Sequence, residues 1–433
     1  MRERTLFIVL GCLLLTLAAR SEETLHRATL KETIEYALNS SFVLEEAEAA
    51  LDEKNALLEE SLAPGRPQLS VQATGNYTTP IPQILLNGRS LELGQNWNYN
   101  ARAALRQSIT DFGRTHFAYQ AARSEMKASE AQKKATHNLV AFTTARAFYE
   151  TEAARRLMEV SEKEVEARQE LLRSSEAKVK EGAAARYDLV RSRAALARAQ
   201  ADRVERETEF LKRRSVLWSL AGQPVVPELD WQPPSPPDDF LVGLASALHR
   251  PDLERLRMSK RAQGYRTERA AAENNPTLAL TSDYTRQNPV GFQLDQQWRV
   301  GLEVQIPIYD GGATRARVAQ GKAREKQLEA GLNEAERKVS LEVEQDYQTL
   351  LSSLAQLEPT ALGLLEAQEA HRLSRLRYEV GLSTLLELLD TRAELTAAQV
   401  RNDQAELSYR LAWCRWIFTT DQWSLLDQEG ALP

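Results

Sequence analysis

The sequence predicts an exported mixed α/β membrane protein, with four short strands per chain entering a shared barrel and very long helices continuing it. Three observations carry this: strands with one apolar face, a repeat at a fixed offset, and apolar stripes through helix-forming stretches of about seventy residues. The segment "WRVGLEVQIPIYDGGATRARV", residues 298–318, contains two of them. Trp298, Val300, Leu302, Val304, Ile306 and Ile308 alternate with Arg299, Gly301, Glu303, Gln305 and Pro307, the period of a strand with one apolar and one wet face. Helix-forming sequence begins directly after Asp310, Gly311 and Gly312.

Composition and the first residues give the address. The 433 residues include 55 basic and 61 acidic side chains, so no positive surplus draws the chain to nucleic acid. A mean hydropathy of -0.46, with abundant Ala, Leu, Glu and Arg, suits long exposed helices. Residues 1–21 read as a signal peptide, with Arg2 and Arg4, an apolar run from Leu6 to Ala19, and the small-x-small site Ala19-Arg20-Ser21. Cys12 falls inside that run rather than at a lipidation site. Cleavage leaves Cys414 alone, so no intrachain disulfide can form. No other apolar run reaches 18 residues, so any membrane crossing falls to strands.

The repeat sets the domain plan. "ITDFGRTHFAYQAARSE" (109–125) parallels "IYDGGATRARVAQGKAR" (308–324), and "VKEGAAARYDLVRSRAALARAQ" (179–200) parallels "YEVGLSTLLELLDTRAELTAAQ" (378–399). Asp111 and Asp310, Gly113 and Gly312, and Gly182 and Gly381 are each 199 positions apart. Repeat 1 covers 22–222, with a hairpin at about 67–108 and a long helix pair at about 112–220. A Pro-rich linker covers 223–239, including "QPPSPPDD". Repeat 2 covers 240–420, with its hairpin at about 276–308 and helix pair at about 311–418, and 421–433 is a C-terminal tail. A first helix opens each copy, at about 30–62 and 251–273. The offset grows to about 210 upstream, which predicts a longer loop between the strands of the first copy.

Each strand alternates as residues 298–308 do. Leu69, Val71, Ala73, Gly75 and Tyr77 share a face, as do Trp97, Tyr99, Ala101, Ala103 and Leu105, and Leu278, Leu280, Ser282 and Tyr284. Among the twenty apolar-face positions none is charged, where a 27% charged composition predicts about five. Tyr77, Trp97, Tyr99, Tyr284 and Trp298 lie at the hairpin-loop ends, where an interfacial aromatic girdle belongs. A soluble antiparallel sheet with its core on the apolar side shows the same alternation. Four strands cannot close a barrel, and lipid tolerates no open edge, so copies must share one. Two copies give eight strands and a filled interior; three give twelve and a lumen.

Asp111 with Gly113, and Asp310 with Gly311 and Gly312, form the strand-to-helix junctions. Asp caps the first amides, and Gly lets the backbone turn sharply. In the second long helix Leu328, Leu332, Ala335, Val339, Val343, Tyr347, Leu350, Leu354 and Leu357 form a stripe for helix packing. Pro359 should kink that helix without ending it.

Taken together, the strand-Pro-Ile-Tyr-Asp-Gly-Gly junction and the paired Gly-containing helix turns resemble the TolC family of outer-membrane efflux proteins, over roughly residues 24 to 420. The resemblance implies a homotrimer: a twelve-stranded barrel in the outer membrane continued by a periplasmic tunnel of helices. It implies a periplasmic adaptor and an inner-membrane transporter as partners, and a role as the passive exit duct of an efflux pump or type I secretion system. It places the adaptor-facing turns at Gly182, Gly381 and Leu382, and the periplasmic pore constriction at Glu387 and Asp390, with Tyr378 helping to hold the closed state. Ser383 stands where the family often has a basic residue. Three copies would bring six carboxylates together, which favours cations. Read locally, Thr384-Leu385-Leu386-Glu387 is also a capping box. The rival class is a periplasmic adaptor or coiled-coil spacer without its own barrel. No catalytic signature, cofactor motif or metal-ligand spacing is visible, the five histidines being scattered.

Overall fold

The computed structural model describes residues 26–86, 88–92, 94–182, 185–228, 239–288 and 294–423. The signal peptide, Cys12, most of the Pro-rich linker and nearly all of the tail lie outside them.

The N-terminal half contains β1 (His26–Ala28), α1 (Leu30–Ser40), α2 (Phe42–Ser61), β2 (Gln68–Tyr77), β3 (Gln83–Leu86), β4 (Arg89–Glu92), β5 (Trp97–Thr110), α3 (Arg114–Lys180), α4 (Arg186–Ala221) and β6 (Val225–Pro227). The C-terminal half contains α5 (Phe240–Ala247), α6 (Pro251–Ala271), β7 (Thr277–Gln287), β8 (Gln296–Gln305), α7 (Ala313–Glu379) and α8 (Leu385–Thr420). α3 and α7 have 67 residues each, and at 1.5 Å per residue each reaches about 100 Å. No helix among the described residues is long and apolar enough to cross a membrane. The chain forms two compact units, residues 46–133 with 251–335, and the remainder.

The first of these units holds the strands. Their order is β2-β5-β7-β8, with every neighbouring pair antiparallel. Register places like faces together: Leu69 opposite Leu105, Val71 opposite Ala103, Tyr77 opposite Trp97, Leu280 opposite Leu302, and Tyr284 opposite Trp298. A bulge between Ser108 and Thr110 adjusts β5 against β7. Three expectations need correction here. β8 ends at Gln305, because Pro307 has no amide for a ladder, so Ile306 and Ile308 lie beyond the strand. The residues expected as a longer loop between the first two strands instead include the hairpin β3–β4, whose partners include Ile84 and Leu91. The first helix is two, because Ser41 is extended at φ -77°, ψ 109° and its Oγ accepts the Leu44 amide at 3.3 Å.

The second unit has a helical core. Trp416, Tyr409, Phe148, Leu217, Val343, Leu350 and Ile417 are fully buried. Gly243 of α5 lies against Trp416, where a Cβ would stand 2.4 Å from the indole. The linker expectation is also corrected: its start, Val225–Pro227, is β6, which pairs in parallel with β1. Val225 packs with Ala28 and Ala221, and its carbonyl accepts the Trp218 indole N–H at 2.7 Å. None of the nine stripe positions of α7 is exposed, which is the burial its three- and four-residue spacing demands. α7 runs on through Pro359.

Candidate functional site

The sheet leaves its apolar face exposed. Leu69 is 73% exposed, Val71 76%, Trp97 68%, Trp298 70%, Val300 66% and Leu302 66%. A soluble sheet would bury this side under a core, since each such side chain is worth about 1.5–3 kcal/mol when buried. Tyr77 packs edge-on against Trp97 at 5.4 Å, Tyr284 meets Trp298 at 6.3 Å, and Tyr99 is exposed beside them. All five aromatics therefore fall at one end of the sheet, on one face. β7 continues past Tyr284, so Arg286 shares the apolar side, one step beyond the Tyr284–Trp298 pair and opposite Ala101 and Gln296. Near the other end Gln107 intrudes opposite Leu280, with its amide donating to Gly65 O at 2.8 Å.

The opposite face is ionic. Asp283 pairs with Arg299 at 3.0 Å and with Arg102 at 3.4 Å, and Arg106 pairs with Glu303 at 2.7 Å. These contacts cross from strand to strand and lock the register from the wet side. Asn288 adds a clamp that the sequence did not signal. It is 7% exposed, accepts the Tyr99 amide at 2.8 Å and donates to Trp97 O at 2.6 Å.

Both junctions are built as the residue types demand. Asp111 accepts from the Gly113 and Thr115 amides at 3.2 and 2.7 Å and from the Thr115 hydroxyl. Asp310 accepts from the Gly312 and Thr314 amides at 2.9 and 2.7 Å. Burial pushes the Asp111 carboxyl up, but these hydrogen bonds outweigh it and leave it below the usual aspartate value. The turn needs two consecutive left-handed residues. Gly311 and Gly312 supply φ 69° and 85°; at the other junction Phe112 takes φ 50° ahead of Gly113 at 103°. Arg114, another residue the sequence did not single out, donates to the carbonyls of Ala272, Glu273 and Asn275 and so caps the end of the α6 segment.

At the far end of the long helices, Gly381 has φ 79° and donates to Tyr378 O at 3.2 Å, while Leu382 donates to Arg377 O at 2.8 Å. This is a Schellman closure. Gly182, at φ 70°, makes the matching bond to Val179 O at 3.2 Å. Val380 and Leu382 are 70% and 72% exposed at this tip. Thr384 caps α8 by accepting the Glu387 amide at 3.2 Å, but the Glu387 carboxylate does not return the bond; it pairs with Arg377 at 3.4 Å. The capping box is thus only half made. Asp390 lies exposed one turn on. Tyr378 is half-buried with Lys178 Nζ 4.0 Å from its ring centroid, and burial, then Asp188, raises its pKa. Ser383 Oγ is buried without a hydrogen bond.

Comparison with known proteins identifies the family. The profile of the outer membrane efflux protein family matches residues 33–223 and 245–415. The chain is 24% identical to the outer membrane efflux protein BepC of Brucella suis over 432 residues, covering 96% of this chain and 91% of that one. It is 25% identical to the alkaline protease secretion protein AprF of Pseudomonas aeruginosa, over 54% of this chain and 49% of that one. The crystal structure of the Campylobacter jejuni CmeC outer membrane channel superposes with a TM-score of 0.79 at 17% identity, covering 93% and 90% of the two chains. The strands, capped junctions and helix tips described above lie within the matched residues, and the chain belongs to the outer membrane efflux proteins.

Proposed function

We propose that three copies of this chain form a homotrimeric outer-membrane duct, with a twelve-stranded barrel and a periplasmic tunnel of helices. The exposed apolar face of the sheet carries this reading. β2 and β8 are edges of the four-stranded sheet, and unpaired edges are not tolerated in lipid. Pairing β8 of one copy with β2 of the next closes the ring. Twelve strands leave room for a lumen, lined by the wet face with Arg102, Asp283, Arg299 and Glu303. Matching element lengths in the two halves support the duplication, with repeat 1 at 22–222, repeat 2 at 240–420 and a cleaved peptide at 1–21.

The duct is passive, and the family is one of transport channels rather than enzymes. Its driving energy comes from an inner-membrane transporter joined through a periplasmic adaptor. The exposed tips around Gly182, Gly381 and Leu382 are the surface offered to the adaptor. Glu387 and Asp390 form the periplasmic constriction, with Tyr378 bracing the closed tip through α3. BepC's name supports efflux and AprF's supports protein secretion; the two readings share this duct and differ in the adaptor and transporter.

Fractionation of cells making the full precursor tests the reading. The protein should sediment with outer membranes, resist carbonate extraction and run as a trimer in mild detergent. A monomer soluble without detergent would overturn it. In planar bilayers, Glu387→Ala with Asp390→Ala should raise conductance and weaken block by polyvalent cations; unchanged block would remove these residues from the pore.

A further inference from the structure

At the foot of the wet face lies a cavity of about 700 Å³, in the size range of small-molecule sites. All four strands contribute to its wall, through Gln68, Ser108, Thr277 and Gln305 among others, and the first turns of α3 and α7 with the end of α6 form its floor. Its charge is uneven. Arg106, Arg114, Arg269 and Arg317 line it with Asp111 and Glu273. Even with Glu303 counted against Arg106, one positive charge per subunit is left over.

The partners show where that surplus sits. Glu303 takes Arg106 and Glu273 takes Arg317. The Asp111 carboxylate is occupied by the amides of its own helix cap. Arg114 is held on three neutral carbonyls, which fix its position without cancelling its charge. The Arg269 side chain makes no hydrogen bond or ion pair among the described residues. A structural role for Arg269 exists, since a cation in the last turn of α6 complements the helix dipole. That role does not need a cavity with a second guanidinium, free of any ion pair, fixed in its wall. The guanidinium fork of Arg269 matches carboxylate and phosphate oxygens, Arg114 keeps its Nη1 to offer beside it, and the surrounding wall offers further polar donors.

We propose that this cavity is a transit site for small solutes bearing a carboxylate or phosphate group, held between Arg269 and Arg114 as they pass the throat of the duct. The inference rests on the trimeric-duct reading, which turns the wet face toward the lumen and sets three such cavities around it. Cargo enters there from the periplasmic side, whereas membrane lipid meets only the opposite face of the sheet.

Inorganic pyrophosphate serves as the probe. The full mature trimer is placed in a planar bilayer of neutral phosphatidylcholine, and calorimetry is run in parallel on the detergent-solubilised trimer. Pyrophosphate should bind and reversibly reduce the current. Arg269→Gln should raise the half-blocking and dissociation concentrations about tenfold, the scale of one lost charge-assisted contact, while Arg269→Lys keeps most of the effect. Glu273→Gln, which removes a competing carboxylate, should tighten binding. The proposal is overturned if pyrophosphate does not bind the wild type, or if Arg269→Gln leaves both readouts unchanged. It is also overturned if adding phosphatidylglycerol to the bilayer abolishes the block, since the occupant would then be a lipid headgroup. Failure to conduct at all would count against the duct reading, and calorimetry would still decide the cavity.

Discussion

Val300→Arg separates a lipid-facing sheet from a water-facing one. β8 has 10 residues, so at about 3.4 Å per residue and a tilt near 45° it spans about 24 Å along the membrane normal. That matches the apolar band of about 25 Å in outer-membrane barrels. Val300 is near the middle of the strand, 66% exposed, opposite Ser282. An arginine at the midplane costs about 2–4 kcal/mol, so the folding equilibrium should fall by about 30- to 900-fold per subunit. On a water-facing sheet the same change at an exposed position stays within about 0.5 kcal/mol. The control is Thr74→Arg, exposed on the wet face opposite Asn100, which should stay within that smaller range. Urea titrations in phosphatidylcholine vesicles, read by tryptophan fluorescence, measure both. A wild-type midpoint for Val300→Arg, or an equal loss for Thr74→Arg, would refute the assignment of faces.

Three further outcomes test the frame. Asp111→Ala should cost about 1–2 kcal/mol by freeing the first amides of α3. Because the folded Asp111 value is depressed, its contribution is complete above the ordinary aspartate range and disappears as pH falls through the folded pKa, below about pH 4; the variant should lose that acid-sensitive part of its urea midpoint. Gly243→Ala should destabilise by about 1–3 kcal/mol by driving a methyl into Trp416, whereas Gly331→Ala, with open space at its Cβ, should be neutral or gain up to about 1 kcal/mol in the same thermal scan. Burial pushes the Cys414 thiol up to about 12, so native protein should not react with a thiol reagent at pH 8 until urea exposes it; rapid native labelling would refute its burial.

Much of the frame was legible in local pattern. Period-two alternation placed the apolar faces, because a pleat sends successive side chains to opposite sides, and the observed register brings those faces together. Asp-x-Gly marked both junctions, since the cap and the left-handed turn are properties of a few adjacent residues. The apolar stripe of α7 announced its burial in the same way.

What the sequence could not determine depended on encounters between distant segments. Pairing of β6 with β1 joins positions about 200 residues apart, and strands of three residues each carry no period of their own. Glu387 satisfied a capping pattern, yet its carboxylate went to Arg377 across the turn, because a solvent-exposed side chain follows the nearest opposite charge. Arg114, Arg269 and Glu273 look like ordinary helix charges in the chain and become one cavity only where the sheet meets its helices. Local chemistry thus settled which face, which cap and which turn. Tertiary structure alone decided which charges meet, because electrostatic contact depends on distance in space and a linear sequence records only distance along the chain.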